Sequence, residues 1–135
     1  MVEQGLEDLP EPRKKRGISP EWKLQIACVK RIRAQMRVDK SLRFIAAMPE
    51  GQRSAARAGI SKAMGLEAGV ADIILLRKKP GLRIDWVELK VPERRNTKRG
   101  GLSDEQEAWQ LWFHGTPVVC WTCYSVEEFV RILDL

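Results

Sequence analysis

Apolar residues follow a three- and four-residue spacing early in the chain and switch to short alternating or continuous runs further on. Trp22, Ile26, Val29, Ile32 and Met36 form the first set, behind Ser19 and Pro20, which suit an N-cap and a first helical position. They predict an amphipathic helix with many basic residues outside its apolar stripe. "LRFIAAMP", Leu42 to Pro49, reads as a strand, and the small-residue segment "EGQRSAARAGISKAMGLEAG" as turns around a short helix. Asp72 to Arg77 and Arg83 to Val91 read as two further strands flanking Pro80 and Gly81. Ser103 and Gln106 spell a capping box, S-x-x-Q, at the head of a helix ending near His114 and Gly115. "TPVVCWTCY" reads as a buried strand, and "SVEEFVRILDL" as a final helix behind a second capping box. The resulting order, α-β-β-β-α-β-α, predicts an α/β fold: a small mixed sheet flanked by helices.

With 135 residues, the chain is the size of one domain, expected over residues 19–135. Residues 1–18 mix acids, prolines and the run "RKKRG", too little apolar area to offset the entropy of ordering, so a flexible basic arm is expected there. No apolar stretch approaches the roughly 20 residues that cross a bilayer, and "MVEQGLEDLPEP" lacks a signal peptide's pattern. A soluble protein of the cytoplasm is expected. The net charge of +6 favours a polyanionic partner, a nucleic acid or an anionic membrane surface. Cys28, Cys120 and Cys123 are an odd number and a poor disulfide framework. A strand would point the two sulfurs of "CWTC" to opposite faces, so plain core cysteines are expected rather than a metal or redox pair.

Candidate chemistry lies in "GVADIILLRKKPGLRIDWVELKVP". On a strand, Glu88 and Lys90 share one face while Val87, Leu89 and Val91 share the other. A hard divalent cation takes carboxylate, carbonyl and water oxygens, which Asp72, Glu88 and the Leu89 backbone carbonyl could supply. Lys90 would then stand beside a water or a phosphate. Register decides whether this can happen. A turn of Pro80 and Gly81 alone would set Asp72 opposite Leu89, on the wrong face, whereas a three-residue loop or a bulge shifts it toward Glu88 or Lys90. Pro-Gly suits a type II turn, which two-residue hairpins disfavour, so the shifted register is expected. The plain alternative is a charged strand end in which Lys90 pairs with Glu88 or Glu93.

The blocks "PEWKLQ", "PEGQRS", "GLEAGVADIILL", "WVELK", "LSDEQEAW" and "TPVVCWTCYSVEEFVRIL" together resemble the VRR-NUC (virus-type replication-repair nuclease) branch of the PD-(D/E)XK nuclease superfamily, over nearly everything after residue 19. The resemblance implies a restriction-endonuclease-like core and an Mg2+-dependent endodeoxyribonuclease, with Mn2+ as a substitute. It makes Asp72 and Glu88 metal ligands, Lys90 the catalytic lysine, Gln106 the helix glutamine beside the site and Glu21 a possible further ligand. It also implies branched DNA, a Holliday junction or flap, as substrate, and a homodimer. Ala71 departs from the family's usual proline before the aspartate, which bears on the local turn.

Gln106 equally suits a helix cap, and Glu21 compensation of a helix dipole. His114 suits a helix carboxyl terminus, and Trp109 and Trp112 a core. "RKKR" (Arg13, Lys14, Lys15, Arg16) and a mobile loop "ERRNTKR" (Arg94, Arg95, Lys98, Arg99) could track phosphates, or simply be solvated. Two other readings remain open from the residues alone: a non-catalytic nucleic-acid-binding module on a nuclease fold, and a subunit that cuts only with a partner.

Overall fold

Ser19 starts helix α1 (Pro20–Met36): its extended backbone leaves its hydroxyl to accept from the Trp22 N–H at 3.2 Å, with Pro20 at the first helical turn. The computed structural model describes residues 17–47, 59–60, 62–78 and 80–135. The expected basic arm with Arg13, Lys14, Lys15 and Arg16, and most of the small-residue segment after Ala47, lie outside those residues.

Among the described residues, four strands form one sheet in the order β1 (Leu42–Ala46), β2 (Ile73–Arg77), β3 (Arg83–Leu89) and β4 (Val119–Cys123). The first three run antiparallel, and β4 joins β3 in parallel. Parallel pairing needs a crossover, and helix α2 (Asp104–Trp112) lies within it, as parallel connections require. Helix α3 (Val126–Leu133) closes the chain. No helix among the described residues is long and apolar enough to cross a membrane.

The helices form layers on the two faces of the sheet. Val87 and Leu89 of β3 join Ile73, Leu75 and Cys123 in a buried cluster with Cys28 and Ile32 of α1 and Phe129 and Leu133 of α3. The opposite face carries Trp86, 4.8 Å from the Phe113 ring and 5.2 Å from Trp109 of α2. At about 25 cal/mol per Å², burying such side chains is the main term holding the layers together.

Some expectations change in the folded chain. The inward stripe of α1 runs through Cys28 and Ile32, both wholly buried, whereas Ile26 is 55% exposed on a neighbouring flank. Val29, Ile32 and Met36 of the expected stripe do pack on the core, joined there by Cys28, and Ile26 is the member that turns outward. Trp112 is 70% exposed and no core residue, although its neighbour Trp109 does pack inward. At Ser125 only half of the expected capping box forms: its hydroxyl accepts from the Glu128 N–H at 3.1 Å, while the Glu128 carboxylate pairs with Arg95.

That pairing also overturns the expected mobile loop after β3. Residues 92–101 fold into two short 3-10 turns, Pro92–Arg94 and Lys98–Gly101. Arg95 bridges Glu128 and lies over the Tyr124 ring, Arg99 pairs with Asp104 and Glu107, and the Tyr124 hydroxyl donates to the Gly100 carbonyl at 2.7 Å. A basic composition signalled a solvated loop, but acids on α2 and α3 supply its partners.

Candidate active site

The β2–β3 register pairs Ile73 with Val87 and Arg77 with Arg83, one step off a two-residue Pro-Gly turn. Continued by one residue, it sets Asp72 opposite Glu88, the shifted arrangement that a metal site needs. Asp72 itself lies just before β2, where its carbonyl accepts from the Ala47 N–H at 3.0 Å and its Oδ2 from the Leu89 N–H at 2.7 Å. These bonds tie the entry of β2 to the ends of β1 and β3.

Glu88 is wholly buried on the α2 face, and its Oε2 accepts from Gln106 Nε2 at 3.1 Å. The Glu88 carboxyl also stands within hydrogen-bonding reach of Asp72. Burial pushes the Asp72 carboxyl above the ordinary carboxylate range, opposed by the Leu89 amide, the Lys90 charge and the bond to Glu88, and reinforced by Glu21. Lys90 is half-buried, and its N–H donates to the Cys123 carbonyl at 3.0 Å, extending the ladder one residue beyond β3.

Gln106 performs both tasks expected of it as alternatives. Its Oε1 accepts from the Ser103 N–H at 2.9 Å and its own N–H donates to Ser103 Oγ at 3.2 Å, while Nε2 donates to Glu88. Capping therefore fixes the rotamer that presents the amide to the buried acid.

Two further contacts bring that helix to the site. Gly69 is buried at φ +82°, and a Cβ there would sit 2.5 Å from the Glu105 carbonyl carbon and 2.8 Å from the Gln106 nitrogen. Only glycine lets the backbone ahead of Asp72 lie against the first turn of α2. One residue earlier, the Ala68 carbonyl accepts from Trp109 Nε1 at 3.0 Å. The G-x-x-x-G-V-x-D spelling held the signal for Gly69, but not its partner. Ala71 is buried, with 1% exposure.

Glu21 lies exposed in the first turn of α1, close enough for its charge to act on Asp72. Among the described residues no group of three or more His, Cys, Asp or Glu side chains is placed to hold a metal ion. The donors that the fold does bring together are the Asp72 and Glu88 carboxyls, hard oxygens of the kind that suit Mg2+ or Mn2+ rather than a soft metal. His114 is exposed beyond the end of α2, away from this group, as its helix-end reading implies. Arg94 and Lys98 are exposed on the 92–101 loop, whereas Arg95 and Arg99 are held in the ion pairs above.

Sequence reasoning missed Asp85. It is wholly buried on the opposite, core face of β3, where Trp121 Nε1 donates to Oδ1 at 2.8 Å and Arg83 donates from Nε and Nη2 at 3.1 Å. Its even spacing from Arg83 and Val87 marked an acid on the apolar face of a strand.

The chain resembles a solved structure described as "VRR_NUC domain", with a TM-score of 0.54 over 87% of this chain and 97% of that one at 15% identity. The described sheet and helices therefore share the fold of that VRR_NUC domain. The sequence matches no protein-family model and no curated protein.

Proposed function

We propose that this protein is a divalent-metal-dependent endodeoxyribonuclease that hydrolyses phosphodiester bonds in branched DNA, a Holliday junction or a flap. The observation that carries this reading is the meeting of Asp72 and Glu88 at the ends of β2 and β3, with Lys90 beside them and Gln106 on Glu88. Two carboxyls that meet in so enclosed a place, one of them wholly buried, make chemical sense where a cation can take the place of the proton between them.

Asp72, Glu88 and the Leu89 carbonyl would hold Mg2+ or Mn2+, with Glu21 as a possible further ligand. When bound, the cation would acidify a water and neutralise charge on the scissile phosphate. The Leu89 amide holds Asp72 in place, and Gln106 holds Glu88. Lys90 orients a water or a phosphate oxygen and offsets negative charge as it develops. The preference for branched DNA and a homodimeric state follow from the family resemblance rather than from any contact in the site.

Labelled four-way junction, flap, duplex and single-stranded DNA, each incubated with Mg2+, with Mn2+ and with chelator, provide the test. Metal-dependent cutting, strongest on the branched substrates and lost in Glu88→Gln, is the expected outcome. Binding without cutting in any metal would instead leave a binding module or a partner-dependent subunit. Sedimentation of the free protein checks the dimer.

A further inference from the structure

A groove of about 430 Å³ runs along one flank of α1, lined by Trp22, Gln25, Ile26, Val29, Lys30, Arg33 and Arg37. It lies on the side of the edge strand β1, since Gln25 Nε2 donates to the Ala47 carbonyl at 3.2 Å and the Arg33 guanidinium stands over the Phe44 ring. Its upper end begins one residue from Glu21 and is tied through Ala47 to Asp72. The groove therefore opens beside the carboxylate pair and leads away from it.

Its chemistry is divided. Trp22, Ile26 and Val29 give an apolar floor, with Ile26 55% exposed, while Lys30, Arg33 and Arg37 add three exposed cations. No acid among the described residues forms a salt bridge with these three. By contrast, Arg95 and Arg99, on the loop where basic composition first suggested phosphate contacts, are already paired with acids. Arg94 and Lys98 of that loop stay outside those pairs, but only on α1 do such cations flank the apolar floor of the groove.

We infer that this groove is a track for an unpaired DNA strand leading to the site, with a base against Trp22 and Ile26 and phosphates along Lys30, Arg33 and Arg37. The inference rests on the reading of the substrate as DNA and adds the class of DNA. Single strands bind where a positive groove accompanies an aromatic surface, because an unstacked base has an apolar face to bury. A duplex keeps its bases stacked inside and could use the cations but not the floor. The groove volume falls in the range of small-ligand pockets, enough to receive a nucleoside.

The test is fluorescence anisotropy in chelator, so that no cutting occurs, with labelled oligo-dT, a blunt duplex and a duplex bearing a single-stranded tail. Lys30→Ala/Arg33→Ala/Arg37→Ala is expected to weaken oligo-dT and tailed-duplex binding tenfold or more. At about 0.7 per phosphate contact on a single strand, it should reduce the salt slope by about 2. Trp22→Ala should weaken the same two ligands about tenfold and leave the blunt duplex nearly unchanged. Should the triple variant misfold, Lys30→Gln/Arg37→Gln leaves Arg33 on Phe44 and should show a smaller loss in the same direction. Wild-type protein that does not bind oligo-dT at low salt, or binds it equally in these variants, would overturn the inference. So would variants that change only the oligomeric state, marking the groove as a protein interface. Any of those results is compatible with a chain that still cuts duplex DNA, while a chain that binds oligo-dT in the groove but cuts nothing would sink the nuclease reading instead.

Discussion

Asp85 and Glu88 stand three residues apart on β3, both wholly buried, on opposite faces of the sheet. Around Asp85 the fold supplies a guanidinium and an indole N–H, so the charge is answered within the core. Glu88 accepts from the Gln106 amide and stands beside a second carboxyl, Asp72, which burial lifts above its ordinary range. Donors matched to an acid make a structural pair. Two acids that meet at the shared end of two strands suit the cation proposed above, which would do for them what the donors do for Asp85.

The sharpest break between the two ends is expected at Glu88→Gln and Asp72→Asn. Each should lower metal-dependent cutting about 10³-fold, about 4 kcal/mol in barrier, in single-turnover assays at saturating Mg2+. In chelator the sign for stability is the reverse. A carboxyl whose folded value is raised contributes stability that is present below its unfolded value and lost as pH rises through the folded one. At neutral pH Asp72→Asn should therefore melt at the parent temperature or a few degrees above it. Added Mg2+ should raise the melting temperature of the parent and not of Glu88→Gln. Loss of both activity and stability in these variants would mean that the Asp72 end is an ordinary structural network.

Gly69→Ala tests whether the site end depends on the approach of α2. A methyl placed 2.5 Å from a backbone carbon, at a positive φ, forces the chain ahead of Asp72 off the helix. A destabilisation of about 3 kcal/mol is expected in urea titrations, with cutting reduced further per folded molecule because Gln106 no longer meets Glu88. Gly65, also at positive φ but with open space around its Cβ position, should lose only the conformational part.

The sequence carried the site further than it carried the surface around it. Alternation alone placed Glu88 with Lys90, and the poor fit of Pro-Gly to a two-residue hairpin predicted the register that brings in Asp72. Both are local properties of β2 and β3, and local geometry can be read from spacing. Gly69, by contrast, is glycine because of a helix 36 residues later, and Arg95 is ordered by Glu128, 33 residues later. Contacts at such separation leave no periodic trace in one sequence. The same reason explains Ile26 and Trp112: spacing shows that a helix has an apolar side, but the sheet and its neighbours decide which row is covered.

On the Asp85 side, Asp85→Ala should do the opposite of Glu88→Gln. It leaves the Trp121 N–H without its acceptor and Arg83 without its acid, for a loss of about 2 kcal/mol in the urea midpoint analysis. Arg83 is half-exposed and can turn to water, which keeps the loss below that of a fully buried pair. Cutting per folded molecule should stay at the parent level. A fall in cutting to match Glu88→Gln would show that the two faces of β3 are coupled rather than separate.

Cys28 and Cys123 offer a third way for a fold to hold a buried acid, which is to keep its proton. Burial pushes both thiols from 9.0 up to about 12. Between those values the folded chain retains protons that the unfolded chain has released, so stability is fully present below pH 9 and falls as pH rises toward 12. For one such thiol the loss reaches about 1 to 2 kcal/mol by pH 10. Cys28→Ala should remove that share of the alkaline slope, whatever its effect on stability at pH 7, and urea titrations at both pH values give the difference. Native protein should also react with a thiol reagent first at the half-buried Cys120, which is less enclosed than its two counterparts. Faster reaction at Cys28 would mean that α1 opens from the sheet, and with it the wall that holds Glu21 beside Asp72.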